Sequence, residues 1–198
     1  MAKYRDILKK YQNTGTQGVK QAFDWLRQTA YIATKQSPGN VFNTASQFKR
    51  IEKLSPNSIG KMYYFNYDPK LKEKLPYYDM YPLVFPIEFY NDGFLGINLH
   101  YLPPMLRAQL MDALYDTINN DKFDKTTKLK ISYQILSNAS RYKYFRPCIK
   151  RYLITHVRSP FVYIAPDEWD ITLLLPLGKF AKASVDKVYK DSIAKVRK

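Results

Sequence analysis

The chain has 198 residues, of which 45% are hydrophobic and 16% aromatic, so it can bury the core of one domain or of one domain with an appended arm. Its 32 lysines and arginines outnumber its 17 acidic residues, and the net charge of +15 favours a polyanionic partner. Nucleic acid is the leading class of partner, followed by an anionic membrane surface or an acidic protein. The single cysteine, Cys148, excludes an internal disulfide and a cysteine-cluster metal site, which predicts assembly in the cytoplasm. No apolar stretch has the length of a signal peptide or a membrane span, which predicts a soluble protein.

The N-terminal residues 1–58 are predicted to form a helical arm. Apolar residues recur every three or four positions over 16–35, as in an amphipathic helix, and the sequence Ser-Pro-Gly at 37–39 ends it. A second amphipathic segment covers 42–54 and ends at the turn sequence 55–57. We take this turn as the border between arm and body.

Three strands are predicted between residues 59 and 102. They cover residues 62–67, 81–89 and 93–101, and the Asn-Asp-Gly sequence before the third strand is typical of a hairpin turn. Pro82 and Pro86 favour an edge strand or a bulge, because proline cannot donate to a sheet hydrogen bond. The fold predicted is α+β, with a small antiparallel, barrel-like sheet over about 59–102 packed by several helices, in a body spanning 59–180.

Tyrosines concentrate in this sheet, since eight of the eighteen lie between residues 60 and 102. Their rings could fill the core and form a protein interface, or they could stack on unpaired bases. Acidic residues interleaved with the rings favour the first interpretation. We expect at least two of Tyr63, Tyr67, Tyr78 and Tyr81 to be largely buried. The tyrosines assigned to a partner interface are Tyr63, Tyr67, Tyr77, Tyr78, Tyr81 and Tyr101.

Helices are predicted to dominate the second half of the chain. A proline pair opens a helix with a wide apolar stripe at Pro103 or Pro104, and Thr126 or Thr127 caps another that runs to Leu136. Pro147 is predicted to start a further helix to about Val157. The remaining elements expected are a buried strand at 161–165, a short helix at 166–170 and a basic C-terminal helix or tail at 181–198.

Positive charge is concentrated at the two ends of the chain. The net charge is +7 for residues 1–60, −2 for 61–126 and +10 for 127–198, and six cations with no acid lie between 141 and 158. If the segment after Pro147 is helical, Lys150, Arg151 and Arg158 share one side and can face phosphates. The predicted polyanion contact comprises Arg141, Lys143, Arg146, Lys150, Arg151, Arg158, Lys187, Lys190, Lys195, Arg197 and Lys198.

Motifs of catalytic or cofactor-binding sites are absent from the sequence. It has no phosphate-binding glycine loop, no dinucleotide fingerprint and no His-Glu-x-x-His pair, and its two histidines, His100 and His156, lie far apart. Cys148 and His156 are interpreted as a buried cysteine and a surface histidine rather than a thiol and its base. We therefore predict no enzyme, no cofactor, no metal and no small-molecule substrate.

Three sequence segments, LPYYDMYPLVFPI, GINLHYLPP and PDEWD, carry a resemblance to a known family. Over about residues 59–194 the chain resembles virion-associated proteins of T4-like contractile-tailed bacteriophages, of the DNA end protector or head-completion type. The resemblance implies a non-enzymatic virion protein that is assembled in the host cytoplasm, binds the double-stranded end of packaged DNA, keeps exonucleases away and helps to close the head at the neck. Phage head, neck or tail proteins are the other partners that it implies, and no membrane.

Two alternatives remain open on the sequence. The first is a structural component of the head, neck or baseplate that binds other virion proteins rather than DNA, because interfaces are also rich in aromatics and arginine. The second is a module that binds single strands, whose binding would depend on exposed tyrosine or phenylalanine rings.

Overall fold

The computed structural model describes residues 3–14, 51–143, 145–174 and 180–197. The helix predicted over 16–35 and most of the segment 42–54 lie outside these residues. In chain order, the helices and strands are α1 (Lys3–Thr14), β1 (Ile51–Glu52), β2 (Met62–Tyr64), β3 (Tyr78–Asp79), β4 (Leu83–Tyr90), β5 (Gly93–Asn98), α2 (Pro104–Ile118), α3 (Lys125–Arg141), β6 (Ile149–Leu153), β7 (Phe161–Ile164), α4 (Trp169–Leu174), β8 (Phe180–Ala181) and α5 (Val185–Arg197).

The predicted combination of helices with an antiparallel sheet is confirmed, but the sheet is open rather than barrel-like. Six strands pair antiparallel in the order β1-β7-β2-β4-β5-β6, so β1 and β6 lie at opposite edges and do not close a barrel. The sheet also extends beyond 59–102, because it includes strands at 51–52, 149–153 and 161–164. The strands β3 and β8 form a separate two-stranded sheet.

The hairpin predicted at Asn-Asp-Gly is present. Tyr90 pairs with Gly93 across the turn between β4 and β5, and the register shifts between Pro86 and Glu88. This irregularity falls at a proline, as expected for a residue that cannot donate to the ladder. Gly93 permits a close backbone approach, because a Cβ atom there would lie 2.0 Å from the carbonyl oxygen of Tyr152. The glycine therefore holds β5 against β6.

One face of the six-stranded sheet is covered by helices α1 to α4, and we call it the helix-covered face. Side chains from the strands and from these helices form one buried cluster that includes Phe85, Leu114 and Trp169. The Trp169 ring meets Phe85 edge-on at 5.2 Å between centroids, and its indole N–H donates to the carbonyl of Ile164 at 3.1 Å. The short helix predicted at 166–170 thus supplies the largest fully buried side chain.

The helix α1 packs against α2 and contributes Tyr4 and Leu8 to the core. The buried carboxylate of Asp112 accepts a hydrogen bond from the Tyr4 backbone N–H at 2.7 Å and another from the Arg5 Nε at 3.0 Å. A carboxylate at the first turn of a helix is favourable, because the backbone N–H groups there lack helical partners. The described parts of residues 1–58 pack on the body, and the division into arm, body and tail remains a prediction.

A fully buried arginine joins α2 to the C-terminal helices. The guanidinium of Arg107 donates to the carbonyl of Leu102 and to the hydroxyl of Tyr189, each at 3.3 Å, and to backbone carbonyls of α4. Burial lowers the pKa of Arg107, because the charged form loses hydration. Val188 and Ser192 of α5 are also buried. The C-terminal segment thus contributes to the folded structure as a helix.

The opposite face of the sheet, which we call the aromatic face, carries a second buried cluster. Phe65, Phe94 and Tyr152 lie at its centre, where the Phe65 and Tyr152 rings meet edge-on at 5.2 Å between centroids. Two chain segments cover this face and hydrogen-bond to each other, residues 66–68 and 156–159. Tyr63 and Tyr67 are 0% and 8% exposed, so the prediction of at least two buried tyrosines is confirmed.

Two predictions on the second half of the chain need correction. The helix expected after Pro147 is wrong: Arg146–Cys148 forms one 3-10 turn and the chain continues as β6, because its apolar and aromatic side chains complete the edge of the sheet beside β5. The helix α3 begins after Asp124 rather than at a threonine cap, and the Asp124 carboxylate accepts from the Thr127 backbone N–H at 2.7 Å. The helix at Pro104 and the strand near 161–165 are confirmed.

Candidate nucleic-acid interface

Lys150 and Arg151 point to opposite sides of the sheet, because successive residues of a strand alternate in direction. Lys150 pairs with Gly96 and shares the aromatic face with Tyr152, whereas Arg151 pairs with Leu95 on the other face. The prediction that these two cations share one side of a helix is therefore wrong. The Lys150 Nζ lies 4.1 Å from the centroid of the Tyr101 ring.

Two of the predicted cations have acidic neighbours from distant parts of the chain. Arg151 forms an ion pair with Asp92 and stacks over the Tyr90 ring at 3.8 Å. Arg158 lies 3.6 Å from a carboxylate oxygen of Asp68. The acid-free segment 141–158 is thus partly neutralised by folding, and Arg151 and Arg158 are weaker candidates for phosphate contact than the sequence suggested.

The segment without acidic residues is longer than the range 141–158 that supplied the first six predicted cations. No aspartate or glutamate occurs from Lys125 to Pro166, a segment with nine lysines and arginines. Its first part is α3, where Lys130 and Arg141 are both exposed. They are eleven positions apart, which places them about 20° apart around the helix and about 16 Å apart along it. Polar, uncharged Gln134 and Asn138 are exposed between them.

The turn that follows α3 keeps the next cations close to its end. The backbone N–H of Tyr142 bonds to Ala139, that of Phe145 to Tyr142, and that of Arg146 to Lys143. These short-range bonds fold Lys143 and Arg146 back beside Arg141, and all three are exposed. We call Lys130, Arg141, Lys143 and Arg146 the basic surface. Lys130 was not among the predicted contact residues. The absence of aspartate and glutamate before Arg141 in the sequence could have indicated it.

The C-terminal cations lie on a neighbouring element. The helix α5 and the turn Arg146–Cys148 both contact the 3-10 turn at Leu99–Tyr101, so α5 and the basic surface adjoin the same part of the body. Lys187 and Lys190 are exposed on α5. The side chains of Lys195 and Arg197, and Lys198 as a whole, lie outside the described residues.

A pocket of about 200 Å³ opens on the aromatic face beside Lys150. Tyrosines are the commonest residues of its lining, which also includes Pro69, Leu75 and Arg151, and the buried Asp79, Asn98 and Tyr152 contribute to it. The Asp79 carboxylate accepts hydrogen bonds from His100 Nδ1 at 2.7 Å, from Asn98 Nδ2 at 2.9 Å and from the Tyr81 backbone N–H at 3.0 Å. Asn98 Nδ2 also donates to the Tyr152 hydroxyl. A buried polar network therefore fixes the base of the pocket.

Burial keeps two tyrosine hydroxyls and the one thiol near this pocket protonated at neutral pH. It raises the pKa of the Tyr101 and Tyr152 hydroxyls and raises the pKa of the Cys148 thiol to about 12. Cys148 is fully buried, as predicted, and the half-buried His156 bonds through Nδ1 to the Asp68 carbonyl. A neutral thiol is a poor nucleophile, so Cys148 is a core residue.

In the part of the chain that the structure describes, no group of three histidine, cysteine, aspartate or glutamate side chains could hold a metal ion. None of the described helices combines the length and apolar character needed to cross a bilayer.

Four of the six tyrosines assigned to a partner interface contribute to the core. Tyr63, Tyr67, Tyr77 and Tyr101 are each at most 9% exposed, and Tyr78 and Tyr81 are half-buried. Among the described tyrosines, Tyr90 on β4 is 41% exposed, and larger surfaces are presented by Tyr133 and Tyr142, at 46% and 65% exposure, on α3 and just after it. Sequence reasoning did not select Tyr133 and Tyr142, because they lie outside the tyrosine-rich sheet.

A family model described as phage T4 terminal DNA protecting protein matches residues 24–195, which covers most of the chain and the whole of the body at 59–180. Comparisons with curated proteins and with solved structures give no significant match.

Proposed function

The chain belongs to the family of phage T4 terminal DNA protecting proteins, and from this premise we propose that it binds the double-stranded end of packaged phage DNA without enzymatic activity. The family description names protection of DNA and no reaction. The observation that supports DNA contact in this chain is the basic surface, because an acid-free segment presents four exposed cations on α3 and the turn after it.

The charge pattern fits a partner whose backbone, rather than its sequence, is bound. Lysine and arginine contacts to phosphates release counterions, give affinity that falls steeply with salt and carry no sequence information. Lys130 and Arg141 lie on one side of a rigid helix, which suits contact with successive phosphates. We propose that Lys187 and Lys190 of α5 extend this contact, together with Lys150 and the cations at 195–198.

We also propose a role at the particle level. Protein bound at the end of packaged DNA would lie where the filled head is closed, so this protein would be a virion component that is assembled in the host cytoplasm, completes the head or neck and contacts other head, neck or tail proteins. The exposed rings of Tyr133 and Tyr142 favour such contacts, because aromatic side chains are enriched at interfaces. Tyr78 and Tyr81 are the predicted interface tyrosines that retain accessible surface.

The test compares binding to linear, nicked-circular and single-stranded DNA at two salt concentrations. Linear duplex should bind more tightly than a nicked circle of the same sequence. The double variant Lys130→Ala/Arg141→Ala should weaken binding equally for all sequences and flatten the plot of log affinity against log salt by roughly 0.9 per lost phosphate contact, or about 2 in total.

A matched control removes two exposed lysines elsewhere. Lys70→Ala/Lys74→Ala changes the net charge by the same amount in a loop that also carries Asp68 and Glu73, so its salt dependence should stay close to that of the wild type. If both double variants lose affinity and slope equally, the contact is a general charge effect and the basic surface is not the site. Wild-type protein that binds none of the three DNAs would favour the structural, protein-binding alternative.

A further inference from the structure

The pocket beside Lys150 has the size and the chemistry for a single nucleotide rather than for a duplex. Its volume of about 200 Å³ is below the roughly 300–1,000 Å³ of pockets that hold drug-sized ligands. A base pair inside a duplex cannot enter a pocket of this size. One unpaired nucleotide, or its base alone, can occupy it, and a strand offers such a nucleotide most readily at its end, where the last base has a stacking neighbour on one side.

The walls provide contacts for a planar, partly apolar group. Tyr78 is half-buried on β3, and Tyr67, Tyr77 and Tyr101 are buried around it, so the accessible lining combines ring surface with hydroxyl groups. Nucleobases bind to such surfaces by stacking and by hydrogen bonds at their edges. The tyrosine rings are held by neighbouring aromatics, as shown by Tyr101 against Phe180 at 4.9 Å between centroids. The pocket is therefore preorganised.

The base of the pocket is formed by polar groups that already hydrogen-bond to one another. A carboxylate has about four acceptor positions, and Asp79 receives three described donors, from Tyr81, Asn98 and His100. The Asp79 side chain is 2% exposed, so it fixes the polar base of the pocket rather than bonding to a ligand directly. The buried Asn98 and His100 hold the carboxylate in place, so the acceptor keeps its position without a ligand.

Positive charge lies at one wall of the pocket. Lys150 is half-buried on the edge strand β6, with its Nζ 4.1 Å from the Tyr101 ring centroid, and its strand follows directly after the basic surface. A terminal 5′-phosphate carries more negative charge than an internal phosphodiester, because it is a monoester with a second ionisation near pH 6. A lysine next to a base-sized pocket would distinguish a phosphorylated end from an internal site.

We infer that this pocket binds the 5′-phosphorylated terminal nucleotide of one DNA strand, with the phosphate at Lys150 and the base between the tyrosines above Asp79. This inference rests on the proposed function and deepens it. The basic surface supplies affinity for duplex of any sequence, and the pocket supplies the preference for an end over the interior of the molecule.

The test measures binding of the full chain to two blunt duplexes that are identical except for a 5′-phosphate or a 5′-hydroxyl group. Wild-type protein should bind the phosphorylated duplex about tenfold more tightly, the effect of one charge-assisted hydrogen bond. Lys150→Met keeps the aliphatic stem, and it should reduce this ratio to about one. Tyr78→Leu should weaken binding to both ends, because the ring contact is lost, and should leave affinity for a covalently closed circle, which has no strand end, unchanged.

Matched controls lie outside the pocket. Lys143→Met removes a charge from the basic surface and should lower affinity for both duplexes equally, which leaves the ratio unchanged. Tyr142→Leu removes a ring that is 65% exposed and should not alter the preference for ends. Tyr78→Phe keeps the ring and removes only the hydroxyl, so it should bind both ends nearly as tightly as the wild type does, and a loss as large as that of Tyr78→Leu would contradict a contact through the ring. Thermal unfolding followed by circular dichroism reports the folding of each variant.

Competition with a free mononucleotide separates the pocket from the basic surface. Deoxyadenosine 5′-monophosphate should displace phosphorylated ends from wild-type protein but not from Lys150→Met, and deoxyadenosine should compete more weakly. A preference for linear over covalently closed circular DNA with no effect of the 5′-phosphate, in wild type and variant alike, overturns the pocket and leaves the proposed function intact. Equal affinity for linear and covalently closed circular DNA overturns the proposed function itself.

Discussion

The two faces of the six-stranded sheet both bury aromatic and aliphatic side chains, yet different elements cover them. Four helices cover the helix-covered face, whose side chains form one large core around Trp169. Two hydrogen-bonded loop segments cover the aromatic face, which has a smaller core around Phe65 and a pocket beside it. The comparison indicates that the first face contains the larger core, whereas the second combines a smaller core with the pocket for which we propose a ligand.

The largest expected effect comes from the centre of the helix-covered face. Trp169→Ala should lower the free energy of unfolding by about 3–5 kcal/mol, because it removes a fully buried ring and leaves a cavity between α4 and Phe85. Urea unfolding measures the loss. DNA affinity of the folded fraction should not change. A variant that keeps its stability but loses DNA binding would contradict the assignment of Trp169 to the core alone.

On the aromatic face, Asp79→Asn should cost about 1–3 kcal/mol of unfolding free energy, because the amide group of the new side chain faces the Asn98 and His100 nitrogens that now donate to the carboxylate. Chemical denaturation measures this change. Asn98→Asp, which replaces the opposing amide by an acceptor, should restore part of the stability in the double variant. Additive losses in the double variant would show that the two side chains are not coupled.

Alkaline pH should weaken the helix-covered core through Cys148. Burial raises the pKa of this thiol from 9.0 to about 12, so the contribution to stability is complete below pH 9 and is lost as the pH rises from 9 towards 12. The expected loss is about 1.4 kcal/mol per pH unit within this window. Urea unfolding at pH 8, 9 and 10 measures it. Cys148→Ala retains the buried tyrosines, so its shallower pH dependence isolates the thiol, and identical slopes would contradict the assignment.

The smallest expected effect concerns the surface ion pair at the end of the β4–β5 hairpin. Asp92→Asn should change the unfolding free energy by less than about 1 kcal/mol, as for exposed ion pairs in general. It should nevertheless strengthen DNA binding and make the salt dependence steeper, by up to about one phosphate contact, since Arg151 would lose its acidic neighbour. Unchanged salt dependence would show that Arg151 does not reach the DNA.

Much of the fold could be predicted because local signals and packing agree. The Asn-Asp-Gly turn, the proline-initiated helix α2 and the alternating burial of β7 all appear as the sequence indicates. The segment after Pro147 was misassigned because a short apolar run is compatible with either a helix or a strand. Only the pairing of β6 with β5, a contact between distant parts of the chain, decides for the strand. The same limit applies to the open sheet, whose edge strands come from outside 59–102.

The candidate site was predictable in charge but not in geometry. The acid-free segment and its cations are visible in the sequence, and Arg141, Lys143 and Arg146 are exposed as expected. The ion pairs of Arg151 and Arg158 could not be predicted, since Asp92 and Asp68 are more than fifty positions away in the chain. The burial of Arg107 could not be predicted either, because a charged side chain on an amphipathic helix usually faces solvent.

The position of β6 at one edge of the sheet has a consequence for purified protein. In the described part of the chain, β6 pairs with β5 along one edge, and no strand pairs with the other edge of β6. Unpaired strand edges invite pairing between molecules, and charged side chains along an edge oppose it. Lys150 and Arg151 carry such charges. Variants that neutralise both should therefore self-associate at high concentration, and light scattering should accompany any binding measurement made with them.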